Sequence, residues 1–260
     1  MFGIILIMKK IDTALKIFFI FILVAPIFIL KVSAQSFGVS TNINLDWQVL
    51  DSYVPPFYEG KPLPGEEAAI KVMASVEVNT PAGTFDASKF FYSWEINDYY
   101  SNTYSKTGSS FLIFPLDELV NQNIVELKVY TNNTLETLLA TKRITIYPRI
   151  SKAFLYKDLG NPILTYANAI NKRYENYAVS RGESFNIIAE PFYFSVNRSN
   201  DSSISYIWSV NKIPGNVNST NLFSYSAPTT AYNNFGVGVK VTNKIKTLQS
   251  SEENINFVFK

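Results

Sequence analysis

The chain repeats itself at an interval of about 112 residues, and this narrows its folds more than any other feature. Tyr92-Ser93-Trp94-Glu95-Ile96-Asn97 corresponds to Tyr206-Ile207-Trp208-Ser209-Val210-Asn211 at an offset of 114. Lys128-Val129 corresponds to Lys240-Val241 at 112, Ile70–Ala74 to Phe185–Ala189 at 115, and Ile144-Thr145-Ile146 to Ile255-Asn256-Phe257 at 111. Four blocks in one order at nearly constant spacing describe one structural unit built twice, with the drift taken up by loops.

Within each unit the apolar residues recur with period two. Ile43, Leu45, Trp47 and Val49 alternate with Asn44, Asp46 and Gln48, and Val125, Leu127 and Val129 alternate with Glu126 and Lys128. That period belongs to an antiparallel strand with one buried face. Between these stretches lie the turn formers Asn, Ser, Gly and Pro. The best helical candidate is Ile163–Tyr174, where Leu164, Ala167 and Ile170 share a face. The predicted fold class is all-β: two tandem immunoglobulin-like antiparallel β-sandwich domains, residues 39–148 and 149–260, of six or seven strands each. Trp94 and Trp208 are the predicted core residues, at equivalent places on central strands.

Residues 1–34 stand apart. Lys9, Lys10 and Lys16 precede the apolar run Ile17–Leu30, and Val32-Ser33-Ala34 supplies the small residues of a cleavage site. This is the order of a secretory signal peptide. The alternative is an uncleaved anchor, but a run of about 14 residues spans only about 21 Å of a hydrocarbon core about 30 Å thick. The segment holds four of the chain's 23 basic residues (with Lys31) and one of its 21 acids, Asp12. The remainder carries 19 and 20, net −1, which gives no electrostatic reason to expect nucleic-acid binding.

The Tyr-x-Trp-x-x-Asn strand followed by a Val-x-Val-x-Asn strand resembles the PKD-type and related Ig-like modules of microbial surface proteins. Here Trp94 is followed by Glu95-Ile96-Asn97-Asp98 where the PKD pattern usually has Gly and Asp. Leu45-x-Trp47, Tyr53-x-Pro55-Pro56-Phe57-Tyr58-x-Gly60-Lys61-x-Leu63-Pro64 and Ala189-Glu190-Pro191-x-Tyr193-Phe194 are similar to a family of exported two-domain proteins of small-genome bacteria. That resemblance implies the fold and export, and carries over no assigned function.

The chain has no Cys and no His. Without them there is no disulfide, no Ser-His-Asp or Cys-His catalysis, and none of the preferred zinc or copper ligands. The adjacent carboxylates Glu66-Glu67, Asp117-Glu118 and Glu252-Glu253 read as solvated surface, since neighbours on a strand point to opposite faces. Asn97-Asp98 and Asn197–Ser202 are oxygen-rich loops without the spacing of a calcium site. The expectation is a non-enzymatic protein with no cofactor.

Aromatic residues near loops are the functional hint. Phe57 and Tyr58, and Tyr99 and Tyr100, are the candidate partner contacts, because rings at interfaces bury much area at low entropic cost. The competing reading is that they fill space between the domains. The proline-spaced stretch Val54–Gly65 reads as an extended edge or loop packed across the first domain. The partner expected is a protein or a glycan of the cell envelope, with the membrane touched only through an uncleaved N-terminal segment. The alternatives to an adhesion or scaffold role are a pair of carbohydrate-binding modules and an envelope assembly factor that offers a sheet edge. The small residues Val32 and Ala34 predict cleavage before Gln35; N-terminal sequencing of exported protein checks this, and recovery of Lys9 in the membrane fraction would show an anchor.

Overall fold

A computed structural model describes residues 38–81, 83–117, 120–158, 160, 169–170, 177–218, 220–230 and 234–259. The N-terminal segment read as an export signal lies outside them, as does most of the helical candidate Ile163–Tyr174. Of that candidate, Ala169 forms a bridge with Tyr156, and Ile170 N–H donates to the carbonyl of Leu155 at 2.8 Å.

Period-two sequence becomes four sheets. In the first sandwich β1 (Ser40–Val49) and β2 (Ala69–Thr80) lie side by side, and β2 also pairs with β3 (Gly83–Phe85) and β7 (Phe111–Pro115). The facing sheet holds β4 (Phe91–Ile96) at its centre, flanked by the short β5 (Tyr99–Tyr100) and β6 (Lys106–Thr107) on one side. On the other side come β8 (Asn123–Tyr130) and then β9 (Leu138–Ile146) at the edge.

The second sandwich repeats this plan. β10 (Lys152–Asp158), β12 (Ser184–Phe192) and β15 (Leu222–Ser226) form one sheet. The other runs β11 (Tyr177–Val179), β17 (Ser250–Phe259), β16 (Asn234–Asn243), β13 (Ile204–Val210), β14 (Ile213–Asn218). The chain is therefore two immunoglobulin-like sandwiches.

The matched sequence blocks occupy matched places. Trp94 on β4 sits opposite Leu127 on β8, and Trp208 on β13 opposite Val239 on β16. Both indoles are buried, at 0% and 2% exposure. Trp94 donates its indole N–H to the carbonyl of Ser109 at 2.8 Å, whereas Trp208 stacks on Phe223 at 5.0 Å. The second core is the more aromatic: Phe185, Phe235 and Phe257 stack on one another within 6.2 Å.

By contact the chain falls into two compact units. One comprises, among described residues, 38–41 and Glu77–Phe85; in it Val78↔Phe85 and Thr80↔Gly83 close the β2–β3 hairpin, and Thr84 donates to Asn79 at 2.8 Å. The other, Asn42–Val76 with Asp86–Lys260, holds everything that follows.

The Asn that ends each Tyr-x-Trp-x-x-Asn block has a clear physical role. Asn97-Asp98 (φ 50° and 65°) and Asn211-Lys212 (φ 51° and 66°) each occupy two successive left-handed positions. Such a two-residue turn matches the twist of the strands that it joins, β4–β5 and β13–β14. Asn tolerates that conformation better than most residues. Its side chain then clamps the neighbouring strand: Asn97 Oδ1 accepts from Ile124 N–H at 2.8 Å, and Asn211 Oδ1 from Gly236 N–H at 2.9 Å. The oxygen-rich Asn97-Asp98 loop is thus a turn. Replacing either Asn by Ala should cost about 2–3 kcal/mol, from the left-handed backbone and the orphaned N–H together. Denaturant unfolding of the two single variants checks this, with similar losses expected because the two sites are equivalent.

Candidate functional site

The proline-spaced stretch touches its own sandwich through Lys61, which pairs with Asp46 at 3.1 Å and lies over the Trp47 ring. Its aromatic residues lie on the outward face of β10 and β12. Phe185, Ile187 and Ala189 point into the second core, so Ile188, Glu190 and Phe192 point outward, beside Phe154 and Tyr156 of β10. An outward face this aromatic needs cover, and the first sandwich supplies it. Phe57 meets Tyr156 edge-on at 5.5 Å, and Tyr58 meets Phe192 at 6.2 Å. Proline leaves such a segment extended and unable to donate to a ladder, so it binds through rings and carbonyls.

Tyr53 anchors the segment at one end. Its N–H donates to the carbonyl of Phe194 at 2.8 Å, and its hydroxyl donates to Glu190 Oε2 at 2.9 Å. The β16–β17 loop closes the other end. Lys246 Nζ reaches Asp51 Oδ2 at 2.5 Å and the carbonyl of Glu67 at 2.7 Å. Gln249, fully buried, donates to the carbonyl of Glu66 and to Ser195 Oγ while accepting from Ser195 N–H. The carbonyl of Pro64 accepts from Arg149 N–H at 2.7 Å. At Gly65 a Cβ would lie 1.9 Å from the carbonyl oxygen of Tyr193, so only glycine lets the two backbones approach this closely.

Glu190 is the odd member of this joint. It is 5% exposed, and its donors are both neutral: Tyr53 hydroxyl and, at 3.4 Å, Asn221 Nδ2. Burial pushes its carboxyl up to about 7 against an ordinary 4.5, an effect that the Tyr53 hydrogen bond partly offsets. Burial, and then the Glu190 charge, raise the phenols of Tyr53 and Tyr206.

The structure thus separates the two aromatic pairs. Phe57 and Tyr58 are half-buried in the joint. Tyr99 and Tyr100 stand on β5, 80% and 46% exposed. The carboxylate pairs also differ from the solvated reading. Glu253 is buried, and Glu67 bends the chain at φ 58° where its carbonyl meets Lys246. The Asn197–Ser202 loop folds on itself, with Asp201 Oδ1 accepting from Ser203 N–H and Oγ and the Ser199 carbonyl accepting from Tyr206. Among the described residues no three carboxylates converge as metal ligands would, and no helix is long and apolar enough to cross a membrane.

Sequence reasoning missed Glu190, Lys246, Gln249 and Gly65 as joint residues. A signal for Glu190 was present, since a lone acid in the apolar run Phe185–Phe194 must have partners. Nothing local marks Lys246 or Gln249, whose partners are distant in the chain.

No family model and no curated protein matches this chain. Among solved structures it is similar to the three N-terminal domains of the bacteriophage RB49 Highly Immunogenic Outer Capsid protein. There the identity is 13% and the TM-score 0.41, over 85% of this chain but only 59% of that one. The Clostridium thermocellum CbhA fibronectin(III)-like modules align at 11% identity and TM-score 0.25, over 84% of this chain and 94% of theirs. The chicken CNTN1 FN1–FN3 domains align at 12% and 0.28, over 84% and 65%.

Gly65→Ala should force the joint open, because the atom it meets is backbone and cannot swing aside. Overpacking of this kind costs about 1–3 kcal/mol. Limited proteolysis within 51–68 should accelerate while both Trp environments, read by near-UV circular dichroism, persist; cleavage at the unmodified rate would show that the joint tolerates the methyl group.

Proposed function

We propose that this is an exported, non-enzymatic binding or scaffold protein of the cell envelope that contacts a protein partner through the β4–β5 hairpin. The observation that carries the reading is Tyr99, 80% exposed on a strand of two residues. Its position is held by the Asn97-Asp98 turn and the Asn97 clamp on β8, so a large ring is displayed on a fixed support. An exposed ring adds little to folding, whereas at an interface it is the kind of residue that dominates affinity. The equivalent residue after the second turn, Ile213, is also apolar and exposed, so both repeats display a hydrophobic group at this point.

Protein is favoured over glycan on geometry. Tyr99 and Tyr100 are neighbours on one strand, so their side chains leave it in opposite directions and do not make a flat platform for a sugar. The sheet-edge alternative has several terminal strands to draw on, among them β9, the last strand of its sheet. Exposed Lys142 and Arg143 there are the charges with which proteins guard an edge against added strands. Phe57 and Tyr58 belong to the joint and are set aside as contacts. The absence of Cys and His supports the non-enzymatic reading, and the basic-apolar-small N-terminus supports export.

The test is the double variant Tyr99→Ser with Tyr100→Ser. Its melting temperature should stay within a few degrees of the parent, and capture of the native envelope partner should weaken by about 30-fold or more, the scale of a hot spot worth about 2 kcal/mol. Unchanged capture by a folded variant moves the contact elsewhere. Saturable binding to a defined polysaccharide on a glycan array, lost in the same variant, would replace the protein reading with the carbohydrate one.

A further inference from the structure

The joint contains a buried carboxyl that no cation meets among the described residues. Glu190 lies on the outward face of β12, covered by the segment 51–68, and its two hydrogen-bond donors are the Tyr53 hydroxyl and the Asn221 amide. The titratable groups that face it are Tyr53 from the covering segment and Tyr206 from β13, both phenols. Phe154 is its partner on β10, and Tyr156 of that strand acts on Tyr53. Among the described residues no Lys or Arg pairs with Glu190. Lys246, which the β16–β17 loop brings to the joint, is engaged by Asp51.

We propose that the Tyr53–Glu190 contact is a pH-sensitive latch: the joint between the sandwiches is closed while Glu190 is protonated and loosens when it ionises. A protonated carboxyl can be buried against neutral donors at little cost, whereas a carboxylate in the same place needs a cation or water. Opening the joint gives it water. The chain has no His and no Cys, so no side chain with an ordinary pKa changes charge between pH 5 and 8. A response to pH near neutrality has to come from a displaced group, and Glu190 is displaced into that range.

The sign follows from linkage. The closed joint holds the Glu190 proton more tightly than the open one, so closure is favoured below the ordinary glutamate value of about 4.5. That preference decays as pH rises and is gone above about 7. Between these limits the opening equilibrium changes by up to about 300-fold, one factor of ten for each pH unit separating the two values.

The absence of native cysteine allows site-specific labels without background. The substitutions T141C on β9 and K240C on β16, both at exposed positions and spin-labelled, report the separation of the two sandwiches by pulsed EPR. We expect one narrow distance distribution at pH 5 and a broader or second population at pH 8.5. Glu190→Gln should keep the narrow distribution at both. Tyr53→Phe removes the donor that steadies the carboxylate and should open at lower pH than the parent. An identical distribution at both pH values, or a pH response that survives Glu190→Gln, overturns the proposal. Should Glu190→Gln fail to fold by circular dichroism, Tyr53→Phe decides alone: opening at the parental pH sinks the latch.

Discussion

The arrangement of this protein depends on covering one aromatic sheet face. Phe154, Tyr156 and Phe192 point away from the second core, and left bare they would form a hydrophobic patch. The first sandwich lends a proline-spaced segment that packs on Tyr156 and Phe192, while Phe154 stays partly exposed under Lys152. Once that segment is committed, several other features follow as requirements. Gly65 must lack a side chain, Tyr193 must adopt a left-handed backbone (φ 65°), and the β16–β17 loop must carry a cation and an amide where Asp51 and the carbonyls of Glu66 and Glu67 arrive.

The two sandwiches share a plan and differ in how they finish it. Glu95, Glu126 and Arg143 lie in register across β4, β8 and β9, and with Lys128 they form a chain of ion pairs. The Arg143 hydrogen bond, ahead of all other causes, holds the Glu126 carboxyl below its ordinary range. The same three places in the second sandwich are Ser209, Gly238 and Asn254. A side chain on Gly238 would collide with both neighbours, with Asn254 Oδ1 2.4 Å and Ser209 Oγ 2.6 Å from its Cβ. One sheet face is therefore laced by charge and the other is flush. Surface ion pairs contribute little stability, so this difference bears on what each face can contact more than on how well each folds.

Having neither cysteine nor histidine throws the weight of the structure onto packing and amide chemistry. Asn97 and Asn211 tie turns to neighbouring strands, Asn243 and Gln249 meet in the β16–β17 loop, and Asn221 reaches Glu190. An amide donates and accepts without changing charge. Against that neutral background Glu190 stands out, a buried carboxyl held by a phenol and an amide, and the phenol comes from the other sandwich.

Much of the fold was legible in the chain. Period-two alternation and the repeat near 112 residues depend on local backbone geometry and on each strand needing one apolar face, and these are written residue by residue. The Tyr-x-Trp-x-x-Asn block marked the central strands, although the clamp made by its Asn became apparent only with the neighbouring strand in place. Loop aromatics could be named but not sorted. Phe57-Tyr58 and Tyr99-Tyr100 look alike in sequence, and whether a ring is displayed or buried depends on what the rest of the chain brings to it. The same holds for Glu190, Lys246 and Gln249, each of which finds a partner in the other sandwich. Alternation reports which side of a strand is apolar; only tertiary structure decided which outward face would be covered, because that cover comes from a segment distant in the chain.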